Sequence, residues 1–242
     1  MCDINPILRV IISVFICSLM YIKGIAQDSL VNTIDTLKID NKYREDQFYI
    51  GVTFNLLTNK PESISQNGFS GGLHLGYIRD MPINKQRNLA IGIGAGLSMN
   101  TYNQNLFVGE DTSDTSIFKI IDSNQDYDKN WFSTYLLEAP VQLRWRTSTA
   151  TNYKFWRVYT GLQLGYVYAY KFHFEETGNQ VTQTDVPEFE RYRLGLTFTF
   201  GYDTFNFHFY YNLNPFFNDQ AQIDGQPIEL NSFKLGLMFY IL

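Results

Sequence analysis

The fold this sequence predicts is all-β: an eight-stranded antiparallel up-and-down transmembrane β-barrel. Three observations carry the prediction. Alternation of large apolar with small or polar residues recurs through eight segments, with no helical period between them. The connections between the segments alternate between long and short. The apolar face is also too bulky to be the inside of a small barrel.

The first residues read as a targeting segment. Arg9 precedes an apolar run, Val10 to Ile22, too short to span a bilayer, and Gly24 and Ala26 supply the small residues of a cleavage site after Ala26. Residues 1–26 are therefore read as a signal peptide. Cys17 does not make it a lipoprotein signal, because Ile16 before it is too bulky. Both cysteines, Cys2 and Cys17, fall in this segment, so the mature chain is expected to carry neither thiol nor disulfide. Losing Arg9, Lys23 and Asp3 makes the formal charge of −5 one unit more negative. Such a chain has no basic patch for nucleic acid. Residues 27–46 are polar and aperiodic and read as a periplasmic linker.

The barrel is expected over 47–242. In 47–57, Phe48, Ile50, Val52, Phe54 and Leu56 alternate with Gly51, Thr53 and Asn55. In 69–79, His74 and Gly76 fall on the small face. Segment 88–101 puts Leu89, Ile91, Ile93, Leu97 and Met99 on one face, with Ala95 the one small member of that row. Its other face is Ala90, Gly92, Gly94, Gly96 and Ser98. Segment 132–146 alternates Tyr135, Leu137, Val141, Leu143 and Trp145 with Glu138, Gln142 and Arg144. In 156–173 the large row is Val158, Leu162, Leu164, Tyr166, Tyr168, Tyr170 and Phe172, against Gly161, Gln163 and Gly165. Segments 190–202 and 205–214 carry Leu194 to Tyr202 and Phe205 to Leu213 on the large face, with Arg193, Thr197, Thr199, Asn206, His208 and Asn212 opposite. The last segment is 231–242.

Connections 58–68, 102–131, 174–189 and 215–230 are long. The others are short, the last being little more than Asp203-Thr204. Long loops at one end and tight turns at the other are the pattern of an outer-membrane barrel with both termini periplasmic.

Turned apolar-side-in, such a barrel would have to swallow roughly 40 mostly large side chains, more than an eight-stranded interior admits. Turned apolar-side-out, large residues meet lipid and small or polar ones fill a narrow lumen. Trp131, Trp145, Trp156 and Tyr77 then fall near the interfacial girdles. The chain ends with Lys234-x-Gly236-x-x-Phe239-x-Ile241, the polar–Gly–aromatic–apolar spacing of a C-terminal signal for barrel-assembly machinery.

The stretch YLLEAPVQLRWR, Tyr135 to Arg146, resembles the Y-L-E-x-P strand of the PorT-like outer-membrane β-barrel family of Bacteroidetes. YTGLQLGY (Tyr159 to Tyr166), the Gly-rich segment after it and FYYN (Phe209 to Asn212) follow in the family's order. The resemblance implies an eight-stranded outer-membrane barrel. The family's founding member supports type IX protein secretion, and most relatives have no assigned role.

Glu138 is the clearest buried charge. An unpaired carboxylate in a narrow lumen is costly, so Arg144, Arg193 and Lys171, on the same parity, are its expected partners. Gln163 and His208 complete the expected lumen network. Pro140 cannot donate to a sheet ladder and should mark a local irregularity. His74, His173 and His208, with Ser98 or Ser133, invite a metal or hydrolase reading, but no G-x-S-x-G motif accompanies them. Asp122, Asn124, Asp126 and Asp128 are spaced like a calcium loop, but Tyr127 stands where such a loop needs Gly and its terminal Glu is missing.

More than half of the 24 acidic residues lie in the four long loops, whereas Arg79, Lys85, Arg87, Arg146, Lys154 and Arg157 gather at the short-turn end. The expectation is a non-enzymatic, cofactor-free outer-membrane protein with a filled lumen and a structural or interaction role; the alternatives are an accessory component of type IX secretion, a narrow porin or small-ligand binder, and a lipid A-modifying enzyme. Its expected partners are membrane lipid and lipopolysaccharide, the assembly machinery during insertion, and envelope or secretion-system proteins.

Overall fold

Strands form where β-branched and aromatic residues alternate with small ones, because the two faces of a pleated strand then suit two different solvents. The structure, a computed structural model, describes residues 44–113, 115–122, 124–148 and 154–241. The expected signal peptide, and the linker up to residue 43, lie outside the described residues. Among those residues there are thirteen strands and no helix. They are β1 (Gln47–Thr58), β2 (Gly71–Pro82), β3 (Leu89–Asn103), β4 (Leu106–Glu110), β5 (Ser116–Ile120), β6 (Lys129–Arg146), β7 (Trp156–Glu176), β8 (Asn179–Gln183), β9 (Tyr192–Tyr202), β10 (Phe205–Asn212), β11 (Gln222–Ile223), β12 (Gln226–Pro227) and β13 (Asn231–Ile241).

Eight of these make the barrel. The hydrogen-bonded order is β6-β3-β2-β1-β13-β10-β9-β7, and the β6–β7 pairing closes the ring. Every barrel pairing is antiparallel, and the first and last strands meet along Phe48↔Ile241 to Thr58↔Asn231. Closure leaves the barrel without a free edge, the condition for a sheet to cross a membrane. The remaining strands decorate the long connections: β4–β5 and β11–β12 are small hairpins, and β8 pairs with the far end of β7. Long connections cluster at one end of the barrel (the loop end) and short ones at the other (the turn end).

The faces alternate as the sequence predicts over most of the wall. Phe48, Ile50, Val52, Phe54 and Leu56 point outward, as do Leu194, Leu196, Phe198, Phe200 and Tyr202. Gly92, Ser98 and Asn100 of β3 face inward.

In β7 the expectation fails. Opposite β6, Tyr135 pairs with Ala169 but Leu136 pairs with Val167, which leaves Tyr168 as an extra, unpaired residue. A bulge of one residue swaps the faces of everything beyond it. Tyr170 and Phe172, expected to meet lipid, are therefore buried inside, and Lys171 turns to the outer side, its ammonium 5.6 Å from the Trp131 ring. Pro140 does mark an irregularity: the β3–β6 ladder is interrupted opposite Gly94–Ala95, at Ala139–Pro140.

Candidate functional site

The lumen is the part of the molecule where chemistry-bearing side chains converge, and it is built in three levels. The middle level is a closed polar ring of six side chains from β1, β2, β3 and β6. Thr53 donates to Asn55 Oδ1 at 2.8 Å, Asn55 to Asn100 Oδ1 at 3.5 Å, and Asn100 to Ser98 Oγ at 3.2 Å. Ser98 donates to Glu138 Oε1 at 2.5 Å, Glu138 lies 3.6 Å from His74 Nδ1, and His74 Nε2 returns to Thr53 Oγ1 at 3.1 Å. All six are buried.

On the facing wall, His208 Nδ1 lies 2.8 Å from Thr199 Oγ1, and the Lys234 ammonium sits 4.7 Å from the Tyr210 ring. His74, Glu138, Gln163 and His208 line one void of about 10 Å³. That is room for about one water molecule.

Glu138 therefore does not pair with the expected arginines. Arg144 belongs to the turn-end level, where the Asp80 carboxylate accepts from Arg144 Nη1 at 2.9 Å and from Arg146 at 2.7 and 2.8 Å. Arg144 also donates to the Glu45 carbonyl at 3.3 Å and to the Gln47 side chain, and its guanidinium lies 4.1 Å above the Tyr159 ring. Arg157, packed 4.2 Å over Phe155, and the Glu45 carboxylate complete this level. The chain entering β1 thus lies across the turn-end mouth. Burial raises the pKa of Glu45, against the opposing pull of Arg146 and Arg157.

Asp80 was not among the expected site residues. Its signal is present: it has the inward parity of His74, but only if β2 continues past Arg79, as it does to Pro82.

Arg193 belongs to the loop-end level. It donates to the carbonyls of Tyr192 (3.1 Å), Pro215 (3.0 Å), Glu190 (2.5 Å) and Phe216 (3.4 Å) and lies 4.6 Å from the Phe216 ring. It fastens two loops to the barrel rim and ligates no carboxylate. Above it the lumen is apolar. Tyr102 stacks on Phe132 at 4.7 Å, Phe132 on Phe172 at 5.2 Å, and Tyr170 packs on Phe189 at 4.3 Å. Ile64, Val108, Phe189, Phe217 and Ile228 bring all four long connections into this one core. The expected polar filling thus holds for two levels of three.

The remaining candidates are dispersed. His173 stands apart, 3.4 Å from Thr182 and 5.0 Å from the Trp131 ring. Asp122, Asn124, Asp126 and Asp128 have exposed side chains, and among the described residues no group of three or more His, Cys, Asp or Glu is placed to hold a metal. In β13, Lys234 and Gly236 face inward and Phe239 and Ile241 outward.

A solved structure with a similar course is that of Ail, the attachment invasion locus protein of Yersinia pestis, in complex with the heparin analogue sucrose octasulfate. The two are 14% identical with a TM-score of 0.36, over 81% of this chain and 97% of that one. No curated protein matches the sequence. A family model described as outer membrane protein beta-barrel domain matches residues 26–218, stopping before β13, the strand that pairs with β1. With the closed barrel and its apolar outer face, that match places the chain in the outer membrane protein beta-barrel domain family, as a β-barrel protein of the bacterial outer membrane.

Proposed function

We propose that this protein is a sealed, non-enzymatic outer-membrane barrel with a structural and interaction role, presenting acidic loops outside the cell and both termini to the periplasm. The observation that carries the reading is the continuous filling of the lumen. Arginine–carboxylate packing stops the turn end, the Glu138 ring crosses the middle with space for about one water, and an aromatic core caps the loop end.

Ser98 and His74 do not favour hydrolysis. Ser98 donates to Glu138 rather than to an imidazole, and the void that His74 and Glu138 line inside the lumen has room for about one water. The acidic loops fit partners that bear cations, including lipopolysaccharide phosphates bridged by divalent ions. A second reading, an accessory role in type IX secretion, is favoured by the likeness of Tyr135 to Arg146 to the PorT-like strand. The signal peptide and recognition by barrel-assembly machinery belong to the same proposal.

Planar-bilayer recording on the refolded protein tests the sealed barrel. We expect no steady conductance under modest voltage, and a stable open channel would sink the reading. Co-purification from native membranes without overexpression separates the two roles, since a secretion accessory brings secretion components with it.

A further inference from the structure

The outer face of the β1–β2–β3 sector combines unpartnered cations with an apolar groove. The outward row of β2 runs Leu73, Leu75, Tyr77, Arg79, Met81. Arg79 thus stands in a lipid-facing row, with exposed Met81 and Ile83 beyond it toward the turn end and Ile93 directly across. A charge on that face is tolerable near the interface, where a long side chain reaches headgroups.

Lys85 lies in the turn that follows β2, and Arg44 precedes β1. The pairing Gln47↔Ile78 carries Arg44 toward the same end of β2, and the Asp80 amide donates to Asp46 Oδ1 at 2.8 Å, tying the two segments together. Arg44, Arg79 and Lys85 are all exposed, and none of their side chains makes a hydrogen bond or ion pair with another described residue. The carboxylate of this sector, Asp46, is already engaged by that backbone amide.

Beside Arg79, toward the middle of the membrane, a groove of about 790 Å³ is lined by Phe48, Ile50, Leu75, Tyr77, Ala95 and Leu97. It owes its depth to Ala95, the small residue in a row otherwise made of Ile91, Ile93, Leu97 and Met99. Nothing inside the lumen requires Ala95, which faces outward.

We propose that this sector binds an anionic glycerophospholipid, its phosphate held by Arg44, Arg79 and Lys85 and one acyl chain lying in the groove floored by Ala95. The cations select the headgroup: a phosphodiester with no ammonium gains from all three, whereas a zwitterionic headgroup brings its own cation against them. The groove selects only for a chain and is indifferent to charge. The inference is independent of what the loops bind.

The test uses the full chain refolded and placed in nanodiscs of equal phosphatidylglycerol and phosphatidylethanolamine, with retained lipids counted by native mass spectrometry. The wild type is expected to keep one phosphatidylglycerol in preference. Arg79→Gln or Lys85→Gln should each lower the retention ratio about fivefold. Ala95→Phe, which fills the groove, should abolish retention of both lipids while the gel shift of a folded barrel persists. Equal retention of the two lipids by the wild type, or a ratio unchanged in Arg79→Gln, overturns the proposal. So does displacement of phosphatidylglycerol by lipid A in discs holding both.

Discussion

At the scale of single residues, the lumen shows how buried charge is made tolerable without one-to-one pairing. Glu138 has its negative charge met by a hydroxyl and an imidazole in a closed ring, while Asp80 serves two arginines at once. Removing either carboxylate would strand its partners in a dry interior, where the cost far exceeds that of a surface pair.

Glu45 is the opposite case, a carboxylate that burial holds above its ordinary value of 4.5 although Arg144, Arg146 and Arg157 surround it with Asp80. A raised value in the folded state means that folding favours the protonated acid. The stability it contributes is full below the unfolded value and is lost as pH rises through the folded one. Glu45→Gln is therefore expected to raise the urea midpoint of the barrel at a pH well above the ordinary carboxylate range and to leave it unchanged well below that range. An equal shift at both pH values would show that ionisation is not the cause.

At the scale of elements, the bulge in β7 decides which half of a 21-residue strand looks inward. The sequence offers Tyr166, Tyr168, Tyr170 and Phe172 as one uninterrupted row, and periodicity alone assigns all four to lipid. The extra residue at Tyr168 sends Tyr170 and Phe172 into the aromatic core and sets Lys171 against Trp131. Deleting Tyr168 alone removes the extra residue and leaves Val167, Tyr170 and Phe172 on the inward parity, so the heat-modifiable folded band on a gel should persist, as it should in Tyr168→Ala. Deleting Tyr168 and Ala169 together puts Lys171 on the inward parity and expels two core rings, so that no such band should form. If the double deletion folds as well as the single one, the facing set by the bulge has no such role.

The strands' existence and most of their facing were legible because period 2 is a local property of the chain. The bulge was not, because it depends on how β6 and β7 pair, a relation between residues about thirty positions apart.

At the scale of the whole molecule, charge and bulk are segregated along the barrel axis. The loop end gathers most carboxylates over an aromatic core, and the turn end gathers exposed cations around a buried arginine cluster. If the termini are periplasmic, a single cysteine placed at Ser113 in the β4–β5 hairpin should react with a membrane-impermeant maleimide on intact cells. One at Thr204, in the β9–β10 turn, should react only after permeabilisation. The absence of cysteine after Cys17 makes the readout clean. The reverse pattern would invert the orientation.

The sequence by itself determined the class of object: lengths, alternation and a bulky apolar face admit a membrane barrel and exclude a soluble one, because those quantities sum over the chain whatever its exact pairing. It also determined that Glu138 is buried, since parity places it. Only the tertiary structure decided what Glu138 touches, that Asp80 rather than Glu138 takes Arg144, and that the long acidic loops also supply the rings that cap the lumen. Those outcomes depend on shear, on one bulge and on loop closure, which bring together residues whose separation along the chain carries no signal of their contact.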